Sequence, residues 1–170
     1  MLPSTPMDIS LRRATPADAA VASELVQLSF NALVAPDWEA DARQVFMGES
    51  SAASLQVALQ SCAYAACAFD ADAMRGFILM PRPTLVGMLF VHPDFLRRGI
   101  GKRLWEPARE FIEAAFPEAK TVELNASPFA LNFYRSVGFV PLSAEFKRAG
   151  CRATRMACWL PARALGVELR

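Results

Sequence analysis

The segment from Leu89 to Trp105, LFVHPDFLRRGIGKRLW, constrains the fold more than any other part of the chain. Its apolar start reads as the end of a buried strand, and His92-Pro93-Asp94 stops that strand. A basic loop with Gly99 and Gly101 then opens a helix that carries Leu104, Ala108, Phe111, Ile112 and Ala115 at helical spacing. A strand that passes into a helix through a glycine loop turns unpaired backbone N–H groups outward, which makes an anion site. Arg97, Arg98, Lys102 and Arg103 add positive charge around it. The expected ligand is the pyrophosphate of a nucleotide-like cofactor. A Walker loop is excluded, because Arg103 follows Gly101-Lys102 and no glycine stands five residues before Gly101. A dinucleotide fingerprint fails as well, since Leu104 occupies its third glycine position.

Around this segment the pattern alternates between the two periods. Ile9–Arg13 suits a first strand. Thr15-Pro16-Ala17-Asp18 is a helix start, with Thr15 as N-cap and Pro16 at the first helical position. That helix runs to about Leu33. Pro36 interrupts it, Asp37 is placed to cap a second helix with Trp38, Ala42, Val45 and Phe46, and a third short piece holds Leu55, Val57 and Leu59. The Ala, Phe and Trp of this region suit a substrate-pocket lining and suit plain core packing too. Strands follow at Tyr64–Asp70, Arg75–Met80 and Leu85–Val91, the last apolar on both faces. The helix after Gly101 contains Pro107, where a kink is expected, and Pro117 ends it. Thr121–Asn125 is a short strand. Ser127-Pro128 opens a helix with Phe129, Phe133 and Val137 on one face and Gly138 as its C-terminal cap. Phe139–Leu142 and Arg152–Leu160 read as an antiparallel pair across the Arg148-Ala149-Gly150 turn. The order predicts an α/β fold: a single domain with a mixed, mostly antiparallel sheet and helices on both faces. Its expected extent is residues 9–162, between tails at 1–8 and 163–170.

Composition narrows the function classes. A formal charge of +1 with 21% charged residues lacks the broad basic face of a nucleic-acid binder. No apolar run approaches the ~20 residues of a membrane span. MLPSTPMDIS has neither the basic start nor the apolar stretch of a secretory signal, so the expectation is a cytoplasmic protein. Cys62, Cys67, Cys151 and Cys158 form no C-x-x-C pair, and there is one histidine, so no metal site is expected. Cys67 and Cys158 read as small core residues.

Two motifs then carry a resemblance. Val91-His92-Pro93 to Gly99-Ile100-Gly101 and Leu104 follows V-x-P-x-x-x-x-x-G-I-G-x-x-L. Further on, Asn125, Ser127, Ala130, Phe133, Tyr134, Gly138 and Phe139 follow N-x-S-x-x-A-x-x-F-Y-x-x-x-G-F. In this order and spacing they resemble the GNAT superfamily of acyl-CoA N-acyltransferases, and Arg75-Gly76-Phe77 resembles that family's preceding glycine-containing strand. The family's loop usually carries Gln or Arg three residues before the first glycine; here that residue is Leu96.

The resemblance implies a V-shaped splay after the fourth strand, acetyl-CoA as cofactor, and a primary amine of a small molecule or peptide as acceptor. Members often form homodimers, so that state stays open. The exposed edge of Leu89, Phe90 and Val91 would pair with pantetheine, with an N–H near Phe90 on the thioester carbonyl. Arg97, Arg98, Gly99, Ile100, Gly101 and Lys102 would hold the pyrophosphate. Asn125 would bond pantetheine or an ordered water. Ser127 would do so or serve as an N-cap, with Asn132 and Phe133 as further contacts. Tyr134 is the expected general acid. The usual strand carboxylate is missing, which leaves Glu123 as the nearest candidate base, while His92 reads first as an exposed turn residue. Asp37, Glu39, Asp41 and Glu49 would recruit a cationic amine or form a solvated face. The competing class is a catalytically inactive CoA-binding sensor or interaction module.

Overall fold

The computed structural model describes residues 8–161, so the two expected tails lie outside the described residues apart from Asp8. Two four-stranded sheets make the frame. The first runs β1 (Ile9–Arg13), β2 (Tyr64–Asp70), β3 (Ala73–Met80) and β4 (Met88–Val91), all antiparallel. In the second, β8 (Cys151–Trp159) is flanked by β5 (Thr121–Ala126) and β6 (Val140–Pro141), and β7 (Phe146–Arg148) pairs with β8 as well.

Strand alternation sorts the core into two layers. Ala65, Cys67, Phe77 and Leu79 face α1 (Ala19–Leu33) and α3 (Ala52–Ser61), where Ala22, Val26, Leu55 and Leu59 are buried. Ala66, Ala68, Ile78 and Met80 face α4 (Ile100–Ala115) on the other side. Small alanines on β2 let both helical layers come close. The inner stripe of α4 is Ile100, Leu104, Trp105, Ala108 and Ile112, each at most 1% exposed. Full burial of one large apolar side chain is worth about 1.5–3 kcal/mol. That stripe therefore outweighs the helix-breaking tendency of Pro107, and α4 runs through Pro107 as one element. Gly76 supplies the closest approach: a Cβ there would lie 2.8 Å from Ile100 Cγ2 and from Leu104 Cδ1.

Several local expectations shift. Thr15-Pro16 opens a 3-10 turn over Pro16–Asp18 before α1 begins. The second helix, α2 (Ala40–Glu49), has Glu39 rather than Asp37 at its N-cap, because Asp37 closes a 3-10 turn and its carboxylate accepts from Arg152 at 3.0 Å. Ser127 does not cap α5 (Leu131–Ser136) directly. It holds the turn before it, its Oγ accepting from the Ala130 N–H at 3.3 Å. Phe129 precedes that helix and is 52% exposed, so it falls off the expected apolar face. The final hairpin across Ala149-Gly150 joins β7 to β8, a strand the sequence reading lacked, and β6 pairs separately with β8. Cys67 and Cys158 are buried, and all four cysteines are free.

One ion pair anchors the start of α1. Arg12 donates to both oxygens of Asp18 at 2.9 and 2.6 Å, and the Thr15 N–H donates at 2.8 Å. The Arg12 fork, ahead of the Thr15 bonds, lowers the Asp18 carboxyl from 3.8 to about 2, against the opposing effect of burial. A depressed carboxyl stabilises the fold above its unfolded value and loses that contribution as pH falls through the folded value. With Arg12 half-exposed, the contribution is about 1–2 kcal/mol. Asp18→Asn is expected to lower unfolding free energy by that amount at pH 7 and by almost nothing near pH 2, in urea titrations at both pH values. An equal loss at both would show that the charge is immaterial.

Candidate active site

The two sheets meet at one point and then part. Val86 donates to Glu123 O at 3.0 Å, Glu123 donates to Thr84 O at 2.8 Å, and Leu85 and Glu123 form a parallel bridge. Beyond that bridge, β4 and β5 share no ladder among the described residues. The cause lies at Gly87. Its N–H donates to Leu79 O at 2.9 Å, while the ladder sets Met88 opposite the same Leu79. Two residues of one strand against one of the other form a bulge, which bends a strand and re-aims it. Gly87 is required there, since a Cβ would sit 2.9 Å from Pro81 Cδ.

The bulge also decides which groups face the opening. His92 donates to Arg75 O at 2.9 Å, so by antiparallel alternation Phe90 and Met88 also bond β3. Leu89 and Val91 therefore turn their N–H and C=O groups to the open edge. The N–H of Phe90, the expected centre of that edge, points into the sheet. Ser29 Oγ on α1 donates to Val91 O at 3.0 Å and closes one end of the edge. Side chains divide the other way: Leu89 and Val91 pack on the α4 layer, and Phe90 packs on the α1 side.

At the head of the opening stands the N-terminus of α4. Gly99 is its N-cap, at φ +78, and its C=O accepts from Arg103 N at 3.0 Å. The N–H groups of Ile100, Gly101 and Lys102 precede that first bond and have no acceptor within the helix. A Cβ on Gly99 would meet nothing within 4 Å, so there is open space beside the N-cap. Gly101 is close-packed instead, with Phe133 Cζ 2.8 Å from where its Cβ would be. This contact sets α5 against the loop. The four cations do not all face this N-terminus. Arg103 donates to Ile9 O at 2.6 Å and ties α4 to β1, Lys102 pairs with Glu106 at 3.6 Å, and Arg98 lies over Phe95 at 4.9 Å. Arg97 is exposed and holds a left-handed φ of +59. Leu96 is half-buried beside them.

Tyr134 sits behind the loop, 7% exposed, with its ring 5.2 Å from Phe133 and 5.5 Å from Phe139. It belongs to the same apolar layer as Leu89 and Val91. Loss of water alone pushes its phenol well above the ordinary tyrosine value. Asn125 and Asn132 are exposed, and Ser127 is half-buried. Glu123 is elsewhere in character: its Oε2 accepts from Arg155 Nε at 2.9 Å and Nη2 at 2.6 Å. His92 Nδ1 accepts from the Asp94 N–H at 3.2 Å, which gives it a turn-holding role. Asp37 and Glu39 are likewise occupied, by Arg152 at 3.0 Å and Lys147 at 2.5 Å.

Sequence reasoning missed Ser29 and the bulge. A glycine inside an apolar strand run is the signal that could have found the bulge. It also left the aromatic cluster of Phe30, Trp38, Phe46 and Phe90 unassembled, because its members come from α1, α2, their connection and β4.

The fold that carries this site is shared by known proteins. A GCN5-related N-acetyltransferase from Rhodopseudomonas palustris superposes with TM-score 0.76 at 26% identity, over 94% of this chain and 99% of that one. PaiA N-acetyltransferase from Thermoplasma acidophilum, solved in complex with coenzyme A, gives TM-score 0.74 at 17% identity, over 90% and 99%. An aminoglycoside 6'-N-acetyltransferase complexed with coenzyme A gives 0.69 at 16%, over 91% and 98%. In sequence, a UPF0039 protein of Schizosaccharomyces pombe is 34% identical over 65 residues, and the match spans 38% of this chain and 43% of that relative's length. The family model described as acetyltransferase (GNAT) domain matches residues 34–160, a span that takes in the bulge, the glycine-capped helix and Tyr134 together. The chain belongs to the GNAT acetyltransferase family.

Proposed function

We propose that this protein is an N-acetyltransferase that moves an acetyl group from acetyl-CoA to a primary amine by direct attack. The observation that carries the reading is the opening itself. The β4 edge, with the N–H groups of Leu89 and Val91 outward, runs toward an open helix N-terminus at Gly99. An unpaired edge is a hydrogen-bonding template for an extended amide chain, and a free helix N-terminus favours an anion. In this reading Leu89 and Val91 bond the pantetheine amides and the thioester carbonyl. The N–H groups of Gly99, Ile100, Gly101 and Lys102 take the pyrophosphate, and Arg97 and Arg98 supply charge in place of the side chain that Leu96 lacks. Phe133 braces Gly101, and Asn125, Ser127 and Asn132 line the β5–α5 side. Bound there, acetyl-CoA supplies an activated acyl carbon. Holding the amine against it makes the attack effectively unimolecular.

Tyr134 acts as hydrogen-bond donor to the leaving sulfur. Glu123 serves as base only if it exchanges its Arg155 partner for the amine or its water. That pairing, and Leu96, favour the second reading, a CoA-binding module without turnover. Thiol release from acetyl-CoA across an amine panel separates the two. Amine-dependent release is expected; calorimetric CoA binding with no release on any amine would overturn the enzyme reading.

A further inference from the structure

We propose that the acceptor is a monoamine bearing an aromatic or bulky apolar group, seated on an aromatic wall beside β4, and that polycationic amines are poor acceptors. The inference rests on the N-acetyltransferase reading. The wall begins on the strand that borders the opening. Phe90 leaves β4 on the face opposite Tyr134 and comes within 5.9 Å of Phe46. Phe46 stacks on Phe30 at 4.1 Å and 25°, and Trp38 stands edge-on to Phe30 at 5.2 Å and to Phe46 at 6.0 Å. Phe30 is fully buried and forms the floor, while Trp38, Phe46 and Phe90 are only partly covered. Val34, Ala35, Leu33 and Met47 pack against one side of the cluster, and the uncovered parts of Trp38, Phe46 and Phe90 are left to a flat or apolar substituent, which pairs with aromatic faces and edges beyond simple area burial. Trp38 Nε1 adds a polar handle: it is shielded and has no hydrogen-bond partner among the described residues. A buried donor of this kind rewards a ligand that brings it an acceptor.

Charge argues in the same direction. The acids on either side of Trp38 are both occupied, Asp37 by Arg152 and Glu39 by Lys147. Arg152 also holds Glu145 at 2.7 Å. The Glu39 N–H donates to Gly150 O at 2.9 Å, which fastens the β7–β8 turn to the start of α2. A second or third ammonium group on the acceptor would have to break these pairs to reach the two carboxylates that flank Trp38. An aryl group needs no such exchange. In the reaction the amine nitrogen forms a bond to the acetyl carbon and the carbon–sulfur bond breaks. The proton lost by nitrogen balances the charge on the departing thiolate, leaving an amide and CoA thiol.

The test uses the full chain with acetyl-CoA and three acceptors: phenethylamine, spermidine and kanamycin. Phenethylamine is expected to give kcat/KM about a hundredfold above the other two. Phe46→Ala should raise its KM about tenfold with kcat nearly unchanged, Phe46→Leu should do so less, and Trp38→Phe should raise KM for acceptors with an oxygen on the ring more than for phenethylamine. Equal or better use of spermidine or kanamycin, or an unchanged KM in a folded Phe46→Ala protein, overturns the inference and leaves the acetyltransferase reading standing. If no amine turns over, phenethylamine is titrated calorimetrically into the CoA-saturated protein. Binding that Phe46→Ala weakens supports the aromatic wall while the enzyme reading falls; absence of binding overturns the wall as well.

Discussion

Tyr134→Phe is expected to lower kcat about a hundredfold or more while CoA affinity changes less than about threefold. The substitution is unusually clean. The ring is held by Phe133 and Phe139, and phenylalanine keeps both contacts. Burial raises the phenol pKa, and among the described residues the hydroxyl has no hydrogen bond to lose when it goes. Stability should therefore change by less than about 1 kcal/mol. The raised value also sharpens the role. A thiol has an ordinary pKa near ~8.5, so a phenol pushed upward by burial does not give its proton away to a thiolate at equilibrium. In the proposed reaction it would donate a hydrogen bond to sulfur as charge develops, and the proton that ends on sulfur would come from the amine. Since the phenol stays protonated throughout the working range, the alkaline limb of the rate profile should not belong to Tyr134. Calorimetry for CoA, thermal melts and steady-state kinetics on one preparation check all parts. Unchanged kcat in the folded variant would leave Tyr134 as a core-edge aromatic.

The parts of the site that were legible in the sequence are those made by local chemistry. Gly99 and Gly101 before a helical stripe declare a capped helix, and the period switch around Tyr64 and Thr121 declares strands. The bulge at Gly87 was hidden because Leu85–Val91 is apolar throughout, and apolarity does not say which neighbour each N–H bonds. The result matters, since it moves the outward-facing groups from Phe90 to Leu89 and Val91. The ion pairs were hidden for a different reason. Arg155 and Glu123 are 32 residues apart, and Arg152 and Asp37 are 115 apart, so only the paired sheets and the docked β7–β8 turn bring them together. Asp37 and Glu39 look like recruiting charges in the sequence and are anchoring charges in the fold. Phe30, Trp38, Phe46 and Phe90 likewise become one cluster only after four segments pack.

Gly99→Glu is expected to abolish measurable CoA binding, and with it turnover, without unfolding the protein. Gly99 sits at φ +78, so any side chain there incurs a left-handed strain of about 1–2 kcal/mol. The surrounding space is open, which means that the added side chain meets no steric resistance from the protein. A carboxylate at a helix N-terminus interacts favourably with the N–H groups of that turn, by about 0.3–1 kcal/mol, and offsets part of the strain. The same interaction is what ends binding. The Glu carboxylate takes the N–H groups of Gly101 and Lys102 that the pyrophosphate would use, and it adds a negative charge where two more must come. Gly99→Ala is the control: it carries the strain without the charge and should weaken CoA binding only a few-fold. Arg97→Gly is the converse, since it relieves the left-handed φ of +59 at the neighbouring position and removes one exposed cation. If Arg97 supplies charge in place of Leu96, CoA affinity should fall in Arg97→Gly, and the fall should shrink as salt is raised. Calorimetric titration of CoA into the three variants reads these effects directly. Retained binding in a folded Gly99→Glu protein would move the anion site away from the head of α4.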